Sequence, residues 1–327
     1  PSRPDRRRPR DPAVGAHAKL RAPPDTGFLM LDEHLGYVAD RRRLEAFRDA
    51  ITRTLRPGDR VADLGCGTGV LGLLCLQAGA SHVDAIDATA MIEVARRTMA
   101  RAGFADRCNF VHERSQRAAL AVPVDVAICD HVGYFGFDYG IVAMMGDARA
   151  RLLAPGGRMI PQRIRLELAA IESSEARAKV DGWNGDGVPA ELHWLAHHAA
   201  NEKRSVQLAR DALLGAPASL GGIDLRLDSP GFFRWTAELA IERDGTLHGL
   251  AGWFDCELAP GVTMTNSPLS DRAIDRPQAF LPIEEPVPVR AGDTVRATVM
   301  ARPDDHLIAW VVELPSGRRF SHSTWPG

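Results

Sequence analysis

The residues best suited to chemistry cluster in a few short runs. The densest is Val61-Ala62-Asp63-Leu64-Gly65-Cys66-Gly67-Thr68-Gly69. A strand-like stretch runs into glycines at 65, 67 and 69, and a helical pattern follows. Glycine adopts positive φ and lets a ligand approach the backbone without meeting a Cβ. The start of a helix offers unpaired N–H groups to a polar or anionic ligand end. A second strand-like run ends in Asp87, which is placed to accept hydrogen bonds from both hydroxyls of a ribose. Dinucleotide enzymes also use a glycine loop and an acid, and Asp87 alone would suit NAD equally well. Two details separate the readings. The spacing is GxGxG rather than GxGxxG, and Asp63 sits two residues before the first glycine.

A second constellation lies in Cys129-Asp130-His131-Val132-Gly133-Tyr134, with Tyr139 just beyond. An acid at the end of a strand can orient an acceptor N–H or take its proton, which makes Asp130 the first choice for a catalytic group. His131 beside it is the other choice of base. Tyr134 is placed to wall the reacting group or bond an acceptor, and Tyr139 to stack on a planar one. A third run, Glu191 to His198, puts His193 and His197 four apart on one helical face. That spacing lacks a third ligand and an adjacent acid, so interfacial histidines on an arm are expected and no metal.

The elements that must position these groups follow from the hydrophobic pattern. A helical stretch from Phe28 to about Leu55 turns Leu35, Val38, Leu44, Phe47 and Ile51 to one face. Strands are expected near 60–64, 82–87, 108–112, 124–129 and 157–160, and helices near 68–79, 89–103 and 137–153. Such alternation calls for an α/β Rossmann-like parallel sheet covered by helices. After Pro161 the rhythm shifts to short alternating runs at 164–171, 225–227, 232–241, 247–258, 287–300 and 306–314. These predict a β-barrel or sandwich interrupted by a helical insertion over 189–214. The expected domains are a disordered arm at 1–27, a cofactor domain at 28–160 and a β-barrel substrate domain at 161–327. Its arm covers about 183–214.

Bulk properties narrow the partners. The 327 residues suit more than one small core, and a net charge of −2 supplies no global field for nucleic acid. Lys19, Lys179 and Lys203 are the only lysines among 40 basic residues, a bias read as genomic composition. No apolar run approaches the roughly 18 residues of a membrane span. Five scattered cysteines with no CxxC pair fit a reduced, cytoplasmic compartment.

From about residue 28 to 314 the chain resembles the protein arginine methyltransferases. The resemblance rests on VADLGCGTGVLGLLCLQAGA, on the loop opening at Asp130, and on the run Ala154 to Pro161 that leads into a barrel. It implies S-adenosylmethionine as cofactor and S-adenosylhomocysteine as product. It implies a cofactor set of Arg43, Asp63, Gly65, Cys66, Gly67, Gly69, Asp87, Ala88, Ser115, Gln116 and Asp130. Arg43 falls where the family pairs an arginine with the cofactor carboxylate, and Asp63 near the cofactor's amino-acid end. The insertion falls where the family carries a dimerisation arm, so a homodimer is expected. The acceptor half departs from the family. The first of its two loop glutamates is Asp130 here, and the second falls on Tyr139. Its Thr-His-Trp signature reads Ile274-Asp275-Arg276. Asp130, Tyr139, Asp275 and Arg276 are the expected acceptor-binding residues, with Arg276 repelling a guanidinium. The expected function is therefore an N-methyltransferase acting on a small metabolite or a peptide under biosynthesis. Protein arginine methylation is the alternative, and a silent cofactor-binding partner the third reading.

Overall fold

The computed structural model describes residues 31–324. The proposed arm at 1–27 and the helical start at Phe28 lie outside them. Helices α1 (Leu31–Ala39) and α2 (Arg41–Thr54) replace the single long helical stretch, separated at Asp40. Asp40 breaks and restarts the helix because its side chain caps α2, accepting from the Arg43 N–H at 3.0 Å. Phe47 and Ile51 are buried as the periodicity predicts, whereas Leu35 on α1 is exposed.

The chain then alternates through β1 (Arg60–Leu64), α3 (Val70–Gln77), β2 (His82–Asp87), α4 (Met91–Arg101), β3 (Cys108–His112) and β4 (Val124–Cys129). It continues with α5 (Ile141–Asp147), a π-helical turn at Ala148–Leu152, and β5 (Leu153–Ile160). The five strands form one parallel sheet in the order β3-β2-β1-β4-β5. That order reverses direction beside β1, so the carboxyl ends of β1 and β4 open a crevice between them. The glycine loop and Asp130 both leave the sheet there.

Beyond Pro161 the strands are antiparallel. They are β6 (Arg163–Ile171), β7 (Arg204–Val206), β8 (Ala218–Asp224), β9 (Phe233–Ala240), β10 (Gly245–Ala259), β11 (Val262–Thr265), β12 (Gln278–Val289), β13 (Thr294–Arg302), β14 (Leu307–Glu313) and β15 (Arg319–Ser323). One sheet runs β7-β12-β10-β6-β8 with β11 beside β10, and a second runs β15-β14-β13-β9. The fold is thus the expected α/β sheet followed by antiparallel sheets. Several boundaries differ. The run at 225–227 lies just after β8, and 287–300 is divided by a turn at 290–293. The insertion at 189–214 is mostly irregular. Besides single 3-10 turns at 190–192 and 210–212 it holds a five-residue helix, α7 (Leu195–Ala199), and the edge strand β7. Helix α6 (Ser174–Asp181) precedes it. Helical periodicity there was outweighed by pairing of Arg204–Val206 with the edge of β12.

The two halves share one hydrophobic core, and α2 packs against β5, β10 and β11 together. Polar links reinforce the seam. Arg53 donates to the Pro260 carbonyl at 3.0 Å, and the Asn266 amide donates to the Tyr134 carbonyl at 2.8 Å. Phe47 is fully buried and also lies 5.3 Å from the Arg43 guanidinium. Phe47→Ala is expected to destabilise the protein by about 3–5 kcal/mol, the usual cost of emptying a large core site. Urea denaturation would check this, and a change within experimental error would show that α2 does not carry the seam.

Candidate functional site

At the carboxyl edge of the parallel sheet lies a cleft of about 330 Å³. That is at the small end of the roughly 300–1,000 Å³ usual for ligand cavities. Its floor is the glycine loop. Gly65 and Gly67 have φ of +66° and +52°, and both face an imidazole at close range. A Cβ on Gly65 would stand 2.0 Å from His131 Nε2, and one on Gly67 would stand 2.9 Å from His34 Cε1. Only glycine meets both demands, so the loop packs directly against the two imidazoles that share the cleft with it.

Asp87 sits at the end of β2 and is itself tied to this loop. Its Oδ2 accepts from the Gly67 N–H at 2.8 Å, and its Oδ1 accepts from the Thr89 N–H and hydroxyl at 2.8 and 2.6 Å. A carboxylate offers roughly four acceptor directions. Three are in use, so Asp87 has room for about one ribose hydroxyl rather than both. Glu113, just past β3, also lines the cleft and is the second acid on that wall. Its place after the third strand parallels that of Asp87 after the second, a signal present in the sequence and passed over.

Of the expected cofactor residues, Arg43, Gly65, Cys66, Gly67, Asp87, Ala88, Ser115, Gln116 and Asp130 line the cleft. Asp63 and Gly69 do not. Asp63 is buried beneath the loop, where its carboxylate accepts from the Gly72 N–H at 2.8 Å. Burial pushes its carboxyl up to about 7, with the nearby Asp87 adding to the effect. It therefore supports the helix after the loop instead of meeting a ligand's amino-acid end. Gly69, with φ of +79°, turns the chain into α3 and backs onto Ala95.

The acceptor end is organised by Asp130. Its Oδ2 accepts from Arg43 Nε at 2.5 Å and from Arg276 Nη2 at 3.1 Å. All three side chains are under a tenth exposed. Burial alone would raise the Asp130 carboxyl, but Arg276 and Arg43 outweigh it and hold it below the usual range. Its other oxygen, Oδ1, is buried without a partner, as is Nη1 of Arg276. Arg43 is thus no solvated residue of a basic run; Arg41 and Arg42 are exposed beside it. Arg276 does not stand free in an acceptor pocket: it is paired with Asp130, in a triad of one carboxylate and two guanidiniums that keeps one net positive charge. Asp275 points elsewhere too. It is exposed, and its backbone N–H donates to the Asp40 carboxylate at 2.9 Å.

All three tyrosines of the chain gather here. Tyr37 and Tyr139 line the cleft. Tyr134 lies behind, edge-on to Tyr139 at 5.4 Å between ring centres. Arg43 and Arg276 lie 5.7 and 5.4 Å from the Tyr37 ring, near enough for cation–π attraction. Asp138, next to Tyr139, is held by Lys203 at 2.5 Å and accepts from the Phe135 N–H. His131 also lines the cleft. Tyr37 and His34 went unforeseen because α1 folds over the cleft from the far end of the domain, a placement that local pattern does not encode. Among the described residues no group of three or more His, Cys, Asp or Glu is gathered to hold a metal. His193 and His197 bond the Val188 carbonyl and Glu284 instead.

The cleft fits a nucleoside-bearing cofactor by its own chemistry: a floor of glycine backbone, an acid with one acceptor direction left, and a buried carboxylate with an unpaired oxygen at the far end. Comparisons with known proteins agree. Residues 61–157 match the family model described as a methyltransferase domain. A probable protein arginine N-methyltransferase 6 of Arabidopsis thaliana is 30% identical over 75% of this chain. The chain spans 62% of that relative's length. It spans 82% of the protein arginine N-methyltransferase 1 of Schizosaccharomyces pombe, 26% identical over 83% of this chain. An arginine N(omega)-methyltransferase of Streptomyces achromogenes is 26% identical over 86% of this chain and 83% of its own. Among solved structures, the Trypanosoma brucei PRMT1 enzyme–prozyme heterotetrameric complex with AdoHcy superposes with a TM-score of 0.80. It is 20% identical, and the match covers 92% of this chain and all of that one.

Asp63→Asn tests the structural role of that acid. Its carboxyl is raised in the fold, so its contribution is present below about pH 4 and is lost as pH rises towards about 7. Stability of the parent measured across that window should fall with a slope that Asp63→Asn flattens. Parallel profiles would contradict the assignment. In sequence and in fold this chain resembles the protein arginine methyltransferases, and residues 61–157 form a methyltransferase domain of the S-adenosylmethionine-dependent kind.

Proposed function

We propose that this chain methylates a nitrogen of an arginine-type acceptor. The observation that carries the reading is Asp130, a buried carboxylate kept ionised by two arginines with Oδ1 left unpaired. An unpaired buried acceptor of this kind calls for an N–H donor. The names of the relatives support an arginine acceptor over the unspecified metabolite expected from sequence. The Streptomyces relative is named for arginine without mention of a protein.

Bound S-adenosylmethionine supplies an electrophilic methyl on a positively charged sulfur. Gly65 and Gly67 would carry its body, Asp87 and Glu113 its ribose, and Arg43 its carboxylate. Asp130 would orient the acceptor N–H through Oδ1. Held below its usual range, it is a weak proton sink, so His131 is assigned the acceptor's proton. Tyr139 walls the reacting end. Positioning and charge complementarity supply most of the acceleration in such a site.

A second reading, an acceptor with no guanidinium, is favoured by one observation. Asp130 already has two guanidinium neighbours, and Tyr139 falls in sequence where the resemblance to the arginine methyltransferases implies a second glutamate. Like charges at about 4 Å repel by about 4 kcal/mol at an intermediate dielectric. Labelled S-adenosylmethionine offered with free arginine, an arginine peptide and a lysine peptide separates the two. Label on an arginine compound is expected, and transfer only to other acceptors would sink the first reading. Asp130→Asn should cut transfer by about 10²-fold or more while S-adenosylhomocysteine still binds. Undiminished transfer would remove Asp130 from the mechanism.

We also infer that two copies pair through the segment at 183–214, which exposes Leu192, Trp183 and Trp194, the last at 61%. Light scattering is expected to return twice the 35.5 kDa chain mass, and a monomer at micromolar concentration would refute the pairing.

A further inference from the structure

A second cavity of about 350 Å³ adjoins the first. It opens where the hairpin turn at Pro303–Asp305, between β13 and β14, meets α5 and the 3-10 turn at Ser115–Arg117. Arg114, Gln116, Tyr139 and Met144 line both spaces, so these four side chains form the wall between them.

The charges in this second space are arranged, not scattered. Arg114 and Arg117, both exposed, reach it from one wall, and neither guanidinium makes a hydrogen bond or ion pair with the described residues. Arg149 and Arg151, on the turn that follows α5, are both spent on aspartates. Asp304 stands on the opposite wall with His306. The first wall is anchored. Arg151 donates to the Ser115 and Ala118 carbonyls, each at 3.0 Å, while gripping Asp147 of α5. This clamps the turn that carries Arg114 and Arg117. Across the gap, His306 is the one non-glycine with positive φ among the described residues, at 53°. Its ring lies over Gly140, 3.9 Å from where a Cβ would be. His306 caps the Pro303–Asp305 turn in the left-handed conformation, one that histidine adopts more readily than most non-glycine residues, and this aims its ring at the cavity.

We propose that this cavity binds the zwitterionic head of a free amino acid, its carboxylate on Arg114 and Arg117 and its ammonium on Asp304. A pair of unspent guanidiniums suits a carboxylate. A simple anion would leave Asp304 as a repulsive neighbour, whereas a head carrying both charges satisfies both walls. The side chain then runs past Tyr139 towards Asp130. This deepens the arginine reading and rests on it for the far end of the acceptor: the substrate is the free amino acid, not a residue within a chain, whose head would carry neither charge.

The test uses the full chain loaded with S-adenosylhomocysteine, titrated calorimetrically with L-citrulline. That probe has the same head and chain length as arginine but no guanidinium cation. Saturable binding is expected, weakened about tenfold or more in N-acetyl-L-citrullinamide, which lacks both head charges. Arg117→Gln and Asp304→Asn touch only the second cavity. Each should weaken L-citrulline by about tenfold while leaving S-adenosylhomocysteine affinity within about twofold. No saturable binding of L-citrulline, equal binding of the capped compound, or unchanged binding in both variants would overturn the proposal. Should the guanidinium reading fail instead, L-citrulline binding persists while no label reaches arginine.

Discussion

Burying one carboxylate between two guanidiniums sets the terms for the rest of the molecule. Asp130 ends a strand of the parallel sheet, Arg43 comes from a helix before it, and Arg276 from a loop 146 residues later. Removing charges from water costs several kcal/mol each, and only close pairing offsets the cost. The parallel sheet, α2 and the antiparallel sheets must therefore stay in register or leave buried charge exposed to low dielectric. The same contact decides the chemistry, because a carboxylate held ionised by two cations orients a donor better than it accepts a proton.

The donor half of the site was legible because its signals are local. Three alternate glycines between a strand and a helix, then an acid at the end of the next strand, specify a loop and a crevice within 27 residues. Asp63 shows where such local signals become ambiguous. Its type and position invited a ligand contact, but a buried loop also needs its own N–H groups satisfied, and Gly72 claimed it. Asp87 shows the same competition in milder form, bound to its own loop before any ribose arrives.

The acceptor half was less legible because its meaning depends on partners distant in sequence. Arg276 read alone is a cation at a pocket mouth. Beside Asp130 it is one of the three members of a buried ion triad. Tyr37 and His34 belong to a helix whose docking depends on the whole seam, and no local pattern announces it. In the segment at 189–214 the reverse happened. A helical pattern was present, yet the edge of β12 captured part of it as a strand.

The gathering of Tyr37, Tyr134 and Tyr139 has a practical consequence. The chain has no other tyrosine, so fluorinating that residue type would place every fluorine nucleus at one end of one cleft. Its spectrum would hold three lines and no background from the distant sheets. The reacting end of this protein can thus be observed selectively through one residue type.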